Sequence, residues 1–217
     1  MTAEMKLLVD GAVSLGLSLD EDQIVKFTAF MLELSKWNHK INLTAIRGSR
    51  DIVVKHLLDS LTLLAYLDLN GRLLDIGSGA GFPSIPLSIL RPDLAIVSVD
   101  AVQKKILFQR HIARTLKLEN FTALHARAES LFNSSRERYD FILSRAFSSI
   151  KTFTELSLPL LAEDGKAVAM KGAGGKEEAL KTESELTGSM AKIERVIEFK
   201  LPVTGDNRSL IVLSKIN

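Results

Sequence analysis

Apolar residues in the first third of the chain recur three and four positions apart, which is the spacing of one face of an α-helix. This pattern covers residues 1–15, 20–45 and 50–67. In the second segment the apolar positions are Ile24, Phe27, Phe30, Met31, Leu34 and Trp37. The sequence therefore predicts a helical N-terminal extension over residues 1–68, with Trp37 in its core.

After residue 68 the pattern changes to short runs rich in β-branched and other apolar residues, which is typical of strands. There are seven such runs: Leu73–Ile76, Ala95–Val99, Thr122–His125, Tyr139–Leu143, Ala167–Met170, Val196–Leu201 and Ser209–Leu213. Helical patterns separate the first five, and such alternation indicates a parallel sheet with helices on both faces. The last two runs are joined by residues 202–208, too few for a crossover helix, so they should be antiparallel. We predict one α/β domain over residues 69–217, with a seven-stranded, mostly parallel sheet and an antiparallel last strand.

The turn after the first predicted strand reads Asp75-Ile76-Gly77-Ser78-Gly79-Ala80-Gly81. Glycine allows backbone torsions and close approaches that a Cβ forbids, and in open α/β sheets ligands bind at this edge. A dinucleotide site has its third glycine one place later and holds a pyrophosphate, which Asp75 would repel. The same carboxylate would attract the amino and sulfonium groups of S-adenosylmethionine (SAM). The alternative is a tight strand–helix turn without a ligand.

Asp100 ends the second predicted strand, 25 residues after Asp75. A carboxylate at this point suits the two ribose hydroxyls of a nucleoside, whether the cofactor is SAM or a nicotinamide dinucleotide. It also suits the N-cap of the helix predicted over residues 103–116, and the two roles are compatible.

Net charge is only +2, but basic residues concentrate in residues 36–56. This segment contains one acid, Asp51, and five basic residues: Lys36, Lys40, Arg47, Arg50 and Lys55. Such a block suits a polyanion such as RNA; the alternative is a solvated helix face.

The chain has no cysteine and four histidines, at positions 39, 56, 111 and 125. Disulfides, thiolate metal sites and a cysteine nucleophile are therefore excluded, and we expect no metal. Residues 1–10 lack the apolar core of a signal peptide and no apolar run approaches the length of a membrane span. We expect a cytoplasmic protein without a membrane partner.

Several motifs together resemble the bacterial 16S ribosomal RNA guanine-N7 methyltransferases, the RsmG or GidB family. The resemblance runs from about residue 35 to the C-terminus. It rests on Trp37-Asn38, Ile41-Asn42-Leu43-Thr44, Lys55 to Leu61 (KHLLDSL), Leu74 to Pro83 (LDIGSGAGFP), Ile85-Pro86-Leu87, Arg127-Ala128-Glu129, Ser144-Arg145-Ala146 and Lys171-Gly172. It implies a Rossmann-like class I SAM-dependent methyltransferase fold, the SAM cofactor and a ribosomal RNA substrate.

The resemblance also implies where SAM lies: against Gly77 and Phe82, with adenosine near Ala128 and Glu129, and with Arg145 closing the site. Asp100 would hold the ribose. The cofactor-binding residues we predict are Asp75, Gly77, Gly79, Gly81, Phe82, Asp100, Ala128, Glu129 and Arg145. Ser84 departs from the pattern, since glycine is expected there.

The residue types agree with guanine N7 as the methyl acceptor. Carbon-5 of a pyrimidine needs a cysteine nucleophile, and exocyclic amino groups usually need an Asn/Asp-Pro-Pro-aromatic segment where this chain has Ser144-Arg145-Ala146-Phe147. Guanine N7 carries an in-plane lone pair and no proton, so its methylation needs alignment rather than a general base. We accordingly assign no certain catalytic residue, with Arg145 as the candidate.

The residues predicted to contact RNA are Lys36, Lys40, Asn42, Arg47, His56 and Lys171. For Asn42 and His56, a buried, hydrogen-bonded role is the alternative. The expected partner is ribosomal RNA or the small ribosomal subunit, bound by a monomer. The rival functions are a small-molecule methyltransferase, a nicotinamide oxidoreductase, and an RNA-binding assembly factor that keeps SAM as a structural ligand.

Overall fold

A seven-stranded sheet organises the described part of the chain. The computed structural model describes residues 1–134, 137–145, 149–186 and 190–216, with only the backbone of residues 133 and 134. The strands are β1 (Arg72–Ile76), β2 (Ala95–Asp100), β3 (Phe121–His125), β4 (Tyr139–Arg145), β5 (Leu161–Lys171), β6 (Ala191–Lys200) and β7 (Asn207–Lys215). Their order is β3-β2-β1-β4-β5-β7-β6.

Strands β1 to β5 are parallel, and β7 lies antiparallel between β5 and β6. This confirms the predicted mixed sheet. Because β7 runs against β5, its first residues lie at the edge where β5 ends, with Ser209 opposite Lys171. Arg208 therefore reaches the same edge as the carboxyl ends of the parallel strands.

The helices are α1 (Ala3–Ser14), α2 (Glu21–Ile41), α3 (Ser49–Ile52), α4 (Asp59–Tyr66), α5 (Ser84–Leu90), α6 (Gln103–Thr115), α7 (Leu131–Ser134), α8 (Ile150–Ser157) and α9 (Gly175–Glu185). Asp20 and Gln23 form a reciprocal capping box at the start of α2, and Asn42 ends it in the left-handed conformation. None of the described helices has the length and apolar character needed to span a membrane.

The segment between residues 49 and 66 is not the uniform helix that its apolar spacing predicts. A π-helix over Val53–Leu58 separates α3 from α4. Insertions of this kind are uncommon and are often found at functional sites. Here the π-helix carries Lys55 and His56, whose contacts are described below.

The N-terminal helices share a hydrophobic core with one face of the sheet. Phe30 of α2 packs against Phe82 and Phe108, with ring centroids 5.3 and 6.2 Å away. Trp37 packs against Phe108 at 5.6 Å, which confirms the core role predicted for it. A second cluster, built on α8, α9 and the other face of the sheet, includes Phe153. The N-terminal helices are thus fixed against the strand ends that carry the glycine turn.

Candidate active site

The glycine turn after β1 follows a left-handed path. Gly77, Gly79 and Gly81 have φ values of 74°, 60° and 88°. A Cβ on Gly79 would meet no atom within 4 Å, whereas one on Gly81 would lie 2.3 Å from Ile85 Cδ1. Gly79 therefore faces open space, and Gly81 allows the turn to pack closely on α5.

A buried polar network holds this turn against α6. The Gln109 side-chain amide donates to Ser78 Oγ and to the Gly79 carbonyl, both at 2.8 Å. Ser98 Oγ donates to Gln109 Oε1 at 2.5 Å. Sequence reasoning missed Gln109; its signal is a polar residue on the apolar face of α6, between Ile106 and Ile112.

Asp100 braces the same turn from β2. Its Oδ2 accepts from Gly79 N at 2.9 Å and its Oδ1 from Val102 N at 2.8 Å. Asp100 therefore shapes the start of α6 without being its N-cap residue, which is Val102. An ionised carboxylate has about four acceptor positions, so these two bonds leave acceptor capacity for a ligand.

A cavity of about 300 Å³ opens beside the turn at the carboxyl ends of β1, β2 and β3. The predicted cofactor residues that line it are Gly77, Asp100, Ala128 and Glu129. Residues 128–130 form a single 3₁₀ turn that brings Ala128 and Glu129 to the cavity wall. The structure thus gathers four residues, predicted from three separate stretches of the sequence, around one opening.

Asp75 lies beneath the turn and is fully buried. Neither of its carboxylate oxygens has a hydrogen-bond partner among the described residues, and the same holds for Ser84 Oγ. Burial raises the pKa of Asp75 to about 7, and the nearby Ser84 side chain, followed by the positive charge of Arg145 and the Ser84 backbone N–H, offsets this rise only in part. A buried carboxylate without a partner is costly, and a cationic ligand would relieve that cost.

Phe82 is packed between His56 and Arg145. The His56 ring is stacked on Phe82 at 4.5 Å and 18°, and the Arg145 guanidinium carbon lies 5.3 Å from the Phe82 ring centre. His56 Nε2 is 2.8 Å from Thr44 Oγ1. Burial, followed by the nearby Arg145 charge, lowers the pKa of His56 to about 3, so His56 is neutral at physiological pH.

A second cavity, of about 350 Å³, lies at the carboxyl ends of β4 and β5 and the start of β7. Arg145, Lys171, Arg208 and Asp59 contribute its charged lining. Asp59 Oδ1 is 3.0 Å from Arg208 Nε, and Asp59 Oδ2 is 3.6 Å from Arg145 Nη1. Lys171 Nζ donates to Glu178 Oε1 at 3.0 Å. Sequence reasoning had not singled out Arg208 or Asp59, although Asp59 lies inside one of the motifs quoted above.

Four of the predicted RNA-contacting residues are exposed near the end of α2: Lys36, Lys40, Asn42 and Arg47. Lys36 is paired with Glu33 at 2.7 Å. Lys171 lies in the second cavity, whereas His56 is only 7% exposed. Of the predicted cofactor residues, Phe82 and Gly81 are buried near the turn, and Arg145 lines the second cavity rather than the first.

A parallel sheet with an antiparallel β7, a glycine turn after β1 and acids at the ends of β1 and β2 define the class I SAM-dependent methyltransferases. Solved structures agree on the fold. A SAM-dependent methyltransferase from Aquifex aeolicus matches with a TM-score of 0.53 and 18% identity, covering 72% of this chain and 90% of that one. The ribosomal protein L11 methylase of Lactobacillus delbrueckii subsp. bulgaricus matches with a TM-score of 0.54 and 13% identity, over 74% and 77% of the two chains.

The chain belongs to the GidB family, rRNA small subunit methyltransferase G, whose model matches residues 23–210. It is 52% identical to the ribosomal RNA small subunit methyltransferase G of Geotalea uraniireducens, over 97% of this chain and 96% of that protein. The protein of the same name from Bacillus subtilis is 37% identical, over 95% and 88% of the two chains. The cofactor of this family and fold is SAM.

The geometry fits that cofactor. SAM carries a sulfonium and an amino group, and the buried Asp75 carboxylate lacks a partner among the described residues. Gly79 leaves room for a close approach, and Asp100 stands at the wall of the first cavity with acceptor capacity left.

Replacing Gly79 by alanine tests the use of this open space. Gly79→Ala is expected to weaken SAM binding by about 5- to 150-fold. The added methyl group would press against the bound ligand, and overpacking of this kind costs about 1–3 kcal/mol of binding free energy. Gly16→Ala is the matched control, since Gly16 also has a positive φ (76°) and nothing within 4 Å of a Cβ. Calorimetric titration of both variants with SAM gives the comparison. Equal SAM affinities for the two variants would show that the Gly79 side of the turn does not contact the cofactor.

Replacing Asp75 by asparagine separates stability from binding. The pKa of Asp75 is raised from 3.8 to about 7. At pH values between these two, the folded state therefore holds a proton that the unfolded state has released. Stability accordingly falls as the pH rises through this window. Asp75→Asn removes that loss, so its free energy of unfolding relative to the native protein should rise from pH 4 to pH 7 and then stay constant. Its SAM affinity should fall at least about tenfold.

Urea unfolding at pH 5 and pH 8, with SAM titration at pH 8, measures both effects. The exposed Asp68→Asn is the control and should change neither. A stability difference between Asp75→Asn and the native protein that does not vary with pH would contradict the raised pKa of the buried Asp75.

Proposed function

We propose that this chain transfers the methyl group of SAM to N7 of a guanine in 16S ribosomal RNA. The family and the relatives named ribosomal RNA small subunit methyltransferase G support the choice of RNA. The observation that carries the proposal is the cationic second cavity, which opens at the same sheet edge as the cavity of the glycine turn. The first cavity would hold SAM and the second the acceptor base.

Strand order explains why the two cavities open at the same edge of the sheet. β1 pairs with β2 on one side and with β4 on the other, so the connections after β1 and β4 leave in opposite directions from neighbouring strands. Ligands in open α/β sheets bind at such a reversal of strand order. In the proposed arrangement Asp100 holds the ribose, Ala128 and Glu129 flank the adenine, and Asp75 attracts the charged methionine end.

The second cavity has the chemistry to hold a guanine. Arg145 and Arg208 supply planar N–H donors that suit O6 of guanine or a phosphate oxygen. Met170, Phe199 and Leu210 provide apolar wall for a base, and Phe199 is supported from behind by Tyr66, with ring centroids 4.6 Å apart.

N7 methylation places modest demands on the protein. When bound, SAM supplies an electrophilic methyl group on a sulfonium. Guanine N7 presents a lone pair without a proton, so the side chains need only orient the base and exclude water. The charged lining of the second cavity agrees with this, because Asp59 is held by two arginines and Lys171 is paired with Glu178.

Outside the cavity, the exposed Lys36, Lys40, Asn42 and Arg47 would contact the surrounding RNA, together with Lys171 inside it. Such contacts neutralise phosphates and release counterions. A substrate of this kind places the protein with ribosomes in the cytoplasm.

The proposal is tested with methyl-labelled SAM and unmodified small ribosomal subunits, in parallel with bare 16S RNA. The RNA is digested to nucleosides and the labelled nucleoside is identified by mass. The expected product is 7-methylguanosine. Label in another nucleoside, or turnover of a small molecule without RNA, would overturn it, and SAM binding without any transfer would favour an assembly factor.

The RNA surface predicts a specific salt dependence. The Lys40→Ala/Arg47→Ala double variant should reduce the slope of log affinity against log salt by about 1.4 to 1.8, because each lost phosphate contact removes about 0.7 to 0.9. Lys192→Ala is the control. Lys192 lies opposite Ser214 in the β6–β7 ladder, at the end of the sheet away from the carboxyl ends of the parallel strands. Fluorescence titration of labelled RNA at several salt concentrations measures the slopes. Equal slopes for the double variant and the native protein would place the RNA elsewhere.

A further inference from the structure

Asp59 joins the two arginines of the second cavity. One carboxylate oxygen accepts from Arg208 Nε at 3.0 Å, and the other lies 3.6 Å from Arg145 Nη1. Arg145 comes from the end of β4 and Arg208 from the start of β7, so the three residues meet from distant parts of the chain. The Asp59 side chain is only 9% exposed.

The backbone around Asp59 holds Arg145 a second time. Asp59 is the first residue of α4, directly after the π-helix, and the π-helix carbonyl of Lys55 accepts from Arg145 Nη1 at 3.0 Å. The N-terminal helices thus contribute one charged and one neutral acceptor to an arginine of the sheet. Both contacts are made by the same nitrogen, Arg145 Nη1.

The two guanidiniums share one buried carboxylate. Among the described residues, the other acid in contact with them, Asp206, lies 3.5 Å from Arg208 with its side chain 43% exposed. Without Asp59 the two cations would repel each other, and a buried charge that loses its partner is strongly unfavourable. With Asp59 in place, Arg208 donates one of its five N–H groups to the carboxylate, and Arg145 is held 3.6 Å from it as an ion pair.

We propose that Asp59 is a positioning residue that aims Arg145 and Arg208 at one electron-rich group of the acceptor nucleotide. This inference rests on the proposed function, because it takes the second cavity as the acceptor site. Asp59 touches neither the base nor SAM in this arrangement; it acts through the two arginines. Its removal should therefore affect the use of RNA and leave SAM binding intact.

The test compares Asp59→Asn with the native enzyme in steady-state methylation of unmodified small subunits. We expect kcat/KM for the RNA substrate to fall about 10- to 100-fold, since misplacing reacting groups by about 1 Å has effects of this size. The SAM dissociation constant should stay within about twofold of the native value. Asp206→Asn is the matched control, because Asp206 also contacts Arg208, at 3.5 Å, but is exposed; its kcat/KM should remain native.

A double-mutant cycle separates positioning from a structural role. If Asp59 acts through Arg208, Asp59→Asn should cost less in an Arg208→Ala background than in the native enzyme. Equal factors in both backgrounds would contradict the proposal. If Asp59→Asn lowers stability in urea, Asp59→Glu keeps the charge and is used instead. Its longer side chain shifts both guanidiniums, so native kcat/KM in that variant would also overturn the proposal.

The outcomes distinguish this inference from the function on which it rests. Failure of the native enzyme to label RNA would refute the acceptor assignment itself. Native labelling together with an unchanged Asp59→Asn variant would refute only the positioning role.

Discussion

The arrangement of the site depends on the partly buried charge of Arg145, whose side chain is 20% exposed. Burial lowers the pKa of this arginine, and the negative charge of Asp59, followed by that of Asp75, opposes the effect. A guanidinium in such a place persists because it is paired and hydrogen-bonded. Its hydrogen-bond and ion-pair partners come from the π-helix and α4, so the same charge ties the N-terminal helices to the sheet edge. Arg145 in turn lines the second cavity.

Asp75 shows that a binding site formed before its ligand arrives lowers the stability of the folded chain. An unpartnered carboxylate in the core destabilises the folded chain, and a core built only for stability would exclude it. This cost is offset where a cationic cofactor binds, because the ligand then meets a carboxyl group that is already desolvated and fixed in place, and its positive charge favours the ionised form. The Ser78, Ser98 and Gln109 network works in the same direction, since it holds the turn above Asp75 rigidly before any ligand arrives.

Much of the fold could be predicted from the sequence, because its signals are local. Strand and helix alternation gave the parallel sheet, and the short 202–208 connection gave the antiparallel pair. The start of β6 was harder to predict from the sequence. The strand begins at Ala191 rather than Val196, and a register shift between Ile193 and Arg195 breaks the alternation of apolar and polar residues that marks a strand. The π-helix was not predictable either, since apolar spacing over six residues does not distinguish it from an α-helix.

The site residues also fall into those that the sequence predicts and those that only the structure shows. Gly77, Asp100, Ala128 and Glu129 follow strand ends or belong to recognisable motifs, and they meet at one cavity. Asp59 and Arg208 are 149 positions apart and carry no local signal of their contact. Only the placement of β7 between β5 and β6 brings Arg208 to the site, so that part of the chemistry required the structure. His56, expected among the RNA contacts, is buried against Phe82, and its role in RNA binding stays a prediction.

A crystal structure with S-adenosylhomocysteine, the demethylated cofactor, would test the central claim most directly. The account predicts adenosine in the cavity lined by Asp100, Ala128 and Glu129, with the amino acid end toward Asp75 and the sulfur directed to the cavity of Arg145 and Arg208. Density for the ligand among Lys171, Arg208 and Phe199 instead would contradict it, because the acceptor base would then have no place beside the cofactor.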